Sequence, residues 1–456
     1  MATAEKIVES LPVAVPTRSA SKRDTIPPQQ EPSLSLFSLL RPVFRFFDSS
    51  RGWRRGLPFF SFSSSLLLLV DDGGCWDEST LRRPPSTGNG LCAQILRPLG
   101  YPCEEHTVQT KDGFLLSVQH IPHGRGGLRG SVEDAHPVFL QHGLFQGGDT
   151  WFVNSVDESL GFILADHGFD VWVGNVRGTH WSPGHVEFSV HDKAFWDWSW
   201  EELAEYDLVS MISYVYATTH SKVFFVGHSQ GTIMALSAFT LPDAVEMIEA
   251  AALLCPISYL DHITSRFVLR AVSLHLDQLL ITLGLHQLNF RSDMGIQILD
   301  LLCDGHMDCN NMLASITGVN CCFNMTRMDY YLEYEPHPSS TKNLNHLFQM
   351  IRKGTFARYD YGLWGNLKRY GKLKPPAFNL ADIPKSLPLW MAYGGNDALA
   401  DPADVKRTIK GLKSKPVLLY NDSYGHIDFI MSVNAKDDVY ANLLSFFRAR
   451  SWLSSY

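Results

Sequence analysis

"VFFVGHSQGT", residues 223–232, decides how the rest of the chain is read. Residues 223–226 form a short apolar run of the kind that becomes a strand buried on both faces. Ser229 then stands between Gly227 and Gly231, and residues 232–239 follow with Ile233, Met234, Ala235 and Leu236 and with neither Pro nor Gly. Gly-x-Ser-x-Gly alone is a weak signal, because both residues are common. Between a strand and a helix it has the context of a nucleophile elbow. The two glycines remove Cβ atoms where strand and helix backbones crowd the turn. They also let Ser229 adopt a disfavoured backbone conformation that lifts its hydroxyl out of the sheet. Ser229 is therefore read as a nucleophile and not as an ordinary loop serine.

A serine hydroxyl is a poor nucleophile until an imidazole takes its proton and a buried carboxylate orients that imidazole. After an elbow the expected chain order is Ser, then Asp or Glu, then His. Asp397 lies in the tight turn "GGND" directly after the apolar run "LPLWMAY". Asp401 and Asp404 are rivals, but "ADPADV" reads as a helix start. His426, in "SYGHIDF", follows the last strand candidate and precedes the final helix candidate "DVYANLLSFFRAR". Asp428 beside it reads as a supporting or solvated group. "QHGLFQGGDTW", residues 141–151, follows a further strand, and Gly143 permits a turn that aims the Leu144 N–H into the site. The N–H of Gln230, next to the nucleophile, supplies the second oxyanion donor. Each such donor is worth about 2.7–4 kcal/mol in the transition state.

Strand candidates at 114–121, 137–143, 170–175, 223–227, 251–256, 387–395 and 416–420 alternate with helical stretches. Apolar positions 204, 208, 211, 212, 215 and 216 form one helical stripe. This alternation argues for an α/β protein with a mainly parallel sheet, whose ligands gather where strands end. The pattern breaks between about 258 and 384, a stretch too long for a loop. The expected organisation is a leader (1–70), a first core part (71–257), a helical cap and lid (258–384, the lid near 288–323) and a second core part (385–456).

The stretches "GYPCEEHTVQTKDGFLLSVQHIP", "LQHGLFQGGDTW", "GNVRGTHWS", "FWDWSWEELAEYDL", "VGHSQGT", "GGNDALADPADV" and "GHIDFI" together resemble the acid lipase family of gastric, lysosomal and plant triacylglycerol lipases. The resemblance runs from about residue 91 to the C-terminus, and "YEPHPSSTKNLNHLFQMIRKGTFARYDYG" is nearest to the plant branch. It implies an α/β-hydrolase core of eight strands with an inserted cap and lid. It also implies hydrolysis of triacylglycerols or sterol esters without metal or cofactor. The family triad falls on Ser229, Asp397 and His426, and its oxyanion donors on Leu144 and Gln230. A family lid disulfide would engage Cys303 with Cys309, Cys321 or Cys322.

The chain has 456 residues, 45% hydrophobic and 19% charged, which suits a large globular core. No sustained Lys/Arg run occurs in the body of the chain, so nucleic acid is not an expected partner, and no stable protein partner is inferred. Residues 1–70 hold nine Lys/Arg against five Asp/Glu, whereas the remainder holds 30 against 42. The leader is rich in Ser, Pro and Arg and reads as disordered. Within it, three arginines precede an apolar run at 57–70, as in a secretory signal, although about fifty residues lie before it. A plastid-type transit segment and a wrongly joined start of the chain are the competing readings. Eight cysteines and two sequons, at Asn324 and Asn421, fit an oxidising compartment: secreted, or in the lysosome or vacuole lumen. The leading expectation is thus an esterase for neutral lipids at an oil or membrane interface. A sterol esterase, or an esterase or acyltransferase for smaller soluble esters, is the alternative, and a non-catalytic lipid-binding protein is a third.

Overall fold

A computed structural model describes residues 90–127, 135–302 and 312–451. The leader, Cys75, Cys303, Cys309 and part of the expected lid lie outside the described residues. The strands are β1 (Glu104–Gln109), β2 (Phe114–Ile121), β3 (Pro137–Gln141), β4 (Asp170–Gly174), β5 (Gly184–His185), β6 (Val223–His228), β7 (Ile248–Leu254), β8 (Gln287–Leu288), β9 (Ser339–Ser340), β10 (Leu389–Gly394) and β11 (Val417–Asn421).

The main sheet runs β1-β2-β4-β3-β6-β7-β10-β11. β2 is antiparallel to both of its neighbours in that order, and every later pairing is parallel. The sheet has nine strands, one more than the eight expected, because β5 adds two residues beside Phe114 and Leu115 of β2. β1 was not among the strand candidates. It is an edge strand with only Val108 fully buried, so it carries neither an apolar run nor a clean alternation. β3 and β6 are buried throughout, as central parallel strands covered by helices on both faces should be.

The helical stripe around 204–216 packs as read up to Val215, but Tyr216 is exposed, since it lies at the stripe's edge. Ser199 caps the start of this helical stretch in a capping box with Glu202. Among the described residues, Cys92 is bonded to Cys103 and Cys321 to Cys322, so neither Cys321 nor Cys322 remains to pair with Cys303. Cys255 is a buried free thiol.

Between β7 and β10 the described residues form seven α-helices, among them Arg266–Ser273, Leu276–Thr282, Asp293–Leu302, Thr341–Lys353 and Gly362–Tyr370. Phe267, Leu276, Leu280, Ile298 and Phe348 build an apolar cluster there that is separate from the main core. The loops after β3, β6, β10 and β11 carry the expected site residues. These strands are mutually parallel, so their carboxyl ends open on one edge of the sheet. No helix among the described residues is long and apolar enough to cross a membrane.

Candidate active site

Ser229 sits at the junction of β6 and the helix Gln230–Ala238 with φ 53° and ψ −118°, a strained conformation for a residue with a side chain. Its N–H is held by the Leu254 carbonyl at 3.0 Å. The flanking glycines are required by close backbone approach. A Cβ on Gly231 would stand 2.6 Å from the Gln141 carbonyl oxygen and 2.9 Å from that of His142. One on Gly227 would stand 3.1 Å from the Gly231 backbone. The turn thus brings β3, β6 and the helix into contact just beneath the serine.

The structure brings Ser229, His426 and Asp397 together. His426 Nε2 lies 2.7 Å from Ser229 Oγ. His426 Nδ1 lies 3.0 and 2.9 Å from the two carboxylate oxygens of Asp397. All three residues are buried. Asp397 Oδ1 also accepts the N–H groups of Leu399 and Ala400, at 2.9 and 2.8 Å. Burial alone would raise the Asp397 pKa, but His426 and these N–H donors outweigh it and hold the carboxyl below its usual value. An ionised Asp397 selects the tautomer with hydrogen on Nδ1. That leaves Nε2 unprotonated and facing the serine hydroxyl. Asp401 instead caps the helix Pro402–Gly411 through the Ala403 N–H, and Asp404 bonds His262 at 2.7 Å. Neither rival reaches His426. Asp428 is fully buried and not solvated: it accepts the N–H groups of Gly425 (2.8 Å) and Cys321 (3.0 Å), fastening the histidine loop to the inserted segment.

Leu144 and Gln230 both border a cavity of about 360 Å³ that opens over Ser229 and His426. The loop bearing Leu144 is tightly specified. Gly143 N–H donates to Gln146 Oε1 at 2.9 Å, and Phe145 is held at φ 59°. The Phe145 carbonyl accepts the His337 N–H at 2.7 Å. His142 Nε2 accepts the Val176 N–H at 3.2 Å, so its Nδ1–H donates to the Gly143 carbonyl at 2.9 Å.

Several supporting residues had no signal in the sequence. His228, inside the elbow, faces Gln146 Oε1 and the His426 carbonyl, each at 3.1 Å, and burial pushes its pKa down to about 3. It stays neutral between the loop of Leu144 and the loop of the base. The Thr317 carbonyl, from the insert, accepts the N–H groups of both His426 (3.1 Å) and Ala398 (3.3 Å). Asp149, beneath the Leu144 loop, accepts from Trp181 at 2.5 Å and His337 at 2.9 Å. Burial would raise its pKa, but His337 and Trp181 bring it down to about 2. Glu335 beside it is pushed the other way, well above the usual carboxylate range, first by burial and then by the Asp149 charge. Chain neighbourhood could not have revealed these contacts, because His228 and Gln146, for example, are 82 residues apart.

Among the described residues four groups of possible metal donors occur, two of them at this site, His228/Cys255/His426 and Asp149/Glu335/His337. In the first, both ring nitrogens of His426 are engaged by Ser229 and Asp397, and in the second His337 Nε2 is engaged by Asp149. Asp149 Oδ2 and Glu335 Oε2 have no hydrogen-bond partner, whereas Ser229, His426 and Asp397 are hydrogen-bonded in line beside the apolar cavity.

Residues 92–155 match the model of a partial alpha/beta-hydrolase lipase region, and residues 136–293 that of the alpha/beta hydrolase fold. The chain is 60% identical over 368 residues to triacylglycerol lipase 1 of Arabidopsis thaliana, covering 81% of this chain and 93% of that one. The chain belongs to the acid lipase family. It is also 35% identical over 394 residues to gastric triacylglycerol lipase of Bos taurus, covering 81% of this chain and 94% of the relative. Triacylglycerol lipase 2 of Arabidopsis thaliana matches at 39% over 403 residues, with 87% and 96% covered. Each of these relatives is thus matched over nearly its whole length.

Proposed function

We propose that the protein is a serine hydrolase that cleaves carboxylic esters of neutral lipids, triacylglycerols first among them, through an acyl-enzyme. The observation that carries this reading is the 2.7 Å contact between His426 Nε2 and Ser229 Oγ at the floor of the apolar cavity. Ser229 Oγ attacks the ester carbonyl carbon while His426 Nε2 takes the hydroxyl proton. The Asp397 carboxylate steadies the imidazolium. The carbonyl oxygen becomes an oxyanion that accepts from the Leu144 and Gln230 N–H groups. The intermediate collapses and the alcohol leaves with the proton from His426. Water then enters and its oxygen attacks the acyl carbon as His426 takes its proton; the bond to Ser229 Oγ breaks, His426 returns the proton to that oxygen, and the fatty acid leaves.

Substrate class follows from the cavity walls. Phe267, Leu280, Ile298, Met312, Leu344 and Phe348 surround the space beyond the serine. Each buried acyl CH₂ contributes about 0.8 kcal/mol, so long chains bind better than short ones. Residues 258–384 serve as a cap in this reading, with a lid near 288–323. Opening the lid exposes apolar surface, which costs less at an oil surface than in water. No cofactor enters any step.

A luminal or extracellular location is supported by the Cys92–Cys103 disulfide and by the sequons. Asn324 Oδ1 accepts the Thr326 hydroxyl at 2.6 Å and Asn421 Oδ1 that of Ser423 at 2.9 Å, on half-buried asparagines whose sequon partners Thr326 and Ser423 are exposed. Both are proposed glycosylation sites. The chemical reading is tested with a fluorophosphonate probe and mass spectrometry. The expected adduct sits on the peptide bearing Ser229 and is absent from Ser229→Ala. Labelling that persists in Ser229→Ala would remove the serine from its role.

A further inference from the structure

The helix Gly362–Tyr370 is built inside out. Its one fully buried side chain is a polar one, Asn366, at 1% exposure. Its largest apolar side chains face solvent: Leu363 is 64% exposed, Trp364 81% and Leu367 43%. Positions 363, 364 and 367 lie within about 100° of one another around a helix, so they form one outward face. Leu373, 56% exposed, extends this apolar group just past the helix. Scattered exposed apolar residues are ordinary, but a contiguous group centred on a tryptophan marks a surface that meets an apolar phase or partner.

The face is rigidly presented. Tyr361 N–H donates to Asn366 Oδ1 at 2.9 Å, and Asn366 Nδ2 donates to Asp360 Oδ1 at 2.7 Å and to the Leu373 carbonyl at 3.2 Å. Asn366 therefore ties both ends of the helix to its own turn, and the apolar side chains have no inward place to fold. Asp360 N–H in turn donates to Gln349 Oε1 at 2.8 Å, on the helix Thr341–Lys353. That helix lines the cavity over Ser229 with Leu344, Leu347, Phe348 and Ile351.

The local charge identifies the partner. Lys368, Arg369, Lys372 and Lys374 are all exposed, and residues 361–381 contain no Asp or Glu. This stands out in a chain whose residues beyond 70 hold 30 Lys/Arg against 42 Asp/Glu. Arg369 leans over the Tyr361 ring at 5.1 Å and reaches Glu202 only at 3.8 Å. A tryptophan and leucines flanked by lysines on one short helix match a segment lying in a lipid interface, with the ring at headgroup depth and the cations against anionic headgroups.

We infer that the outward face of residues 362–374 docks this protein on an anionic lipid surface. The inference rests on the lipid-ester reading for its purpose, since docking here brings a wall of the cavity to the substrate phase. The binding itself is measurable without catalysis. Full-length Ser229→Ala, which cannot consume the lipid, is mixed with phosphatidylcholine vesicles with and without phosphatidylserine. Bound fraction is read by co-sedimentation, and amide hydrogen exchange is read on peptides covering 362–375. The expected result is stronger binding to the anionic vesicles, with exchange slowed in that segment.

In the same Ser229→Ala background, Lys372→Gln with Lys374→Gln should weaken binding about 25-fold, from about fivefold for each lysine near an anionic surface. Leu363→Ser with Trp364→Ser should weaken binding to both vesicle types. Unchanged exchange across 362–375, or variants that bind like their parent, would overturn the inference. So would sedimentation analysis showing that Leu363→Ser with Trp364→Ser dissolves a dimer while vesicle binding stays the same, because the face would then belong to a second copy. Hydrolysis of a soluble short-chain ester by the same surface variants carrying Ser229 should match wild type. Absence of fatty-acid release from emulsified triacylglycerol by the wild type would strike the lipid-ester reading and leave the vesicle result standing.

Discussion

Ser229 combines a positive φ with a hydroxyl 2.7 Å from an imidazole, and the backbone tolerates this because glycines stand on both sides. The acid can be tested against its rivals. Asp397→Asn should lower ester hydrolysis on the order of 10⁴-fold, because an amide no longer imposes the tautomer with hydrogen on His426 Nδ1. Asp401→Ala should cost about 1 kcal/mol of stability through loss of a helix cap and leave the rate nearly unchanged. Steady-state rates and thermal unfolding of both variants check this, and the reverse ranking would reassign the acid. Ser229, Asp397 and His426, which the structure brings together, could be picked out as candidates because each follows a strand in a fixed chain order. His228, Gln146, Thr317 and Asp149 could not. A histidine inside an elbow or a threonine in an irregular insert acquires meaning only when folding brings in a carbonyl or amide from a distant loop.

At the scale of elements, the helix Thr341–Lys353 is fixed to the core by His346. Its Nδ1 lies 3.0 Å from Ser199 Oγ, its Nε2 lies 3.0 Å from the Ala357 carbonyl, and its ring stacks on Trp200. Burial pushes the His346 pKa down to about 3, and burial likewise brings His142 to about 4 and His180 to about 3. A histidine free in the unfolded chain titrates near 6.5. As pH falls below that value the unfolded state binds protons that the native state refuses, and stability declines until the native pKa is reached. Each such histidine contributes at most about 1.4 kcal/mol per pH unit to this loss. Urea unfolding between pH 7 and pH 4 should show His346→Gln less stable at neutral pH but with a shallower decline than wild type. Parallel declines would mean that His346 is protonated in the native state. The strands were legible by apolar content rather than by burial: β3, β4, β6 and the mostly exposed β11 announce themselves as apolar runs, whereas β1, polar and at the sheet edge, does not.

For the whole molecule, the apolar cavity above Ser229 and His426 is the feature that favours a lipid substrate over a soluble one in the proposed reading. The α/β alternation and the long interruption after β7 could be seen in the sequence. The cavity could not, since its walls come from the elbow, the Leu144 loop, the histidine loop and several inserted helices at once. The same applies to the outward-facing Trp364, whose exposure is the opposite of what its hydrophobicity suggests. The most direct measurement is fatty-acid release from a long-chain triacylglycerol across its solubility limit, with wild type and Ser229→Ala in parallel. Wild type should release fatty acid at a rate that climbs once an emulsified phase forms, and Ser229→Ala should release none above background. No release by wild type, or equal release by Ser229→Ala, would contradict a serine lipase centred on Ser229.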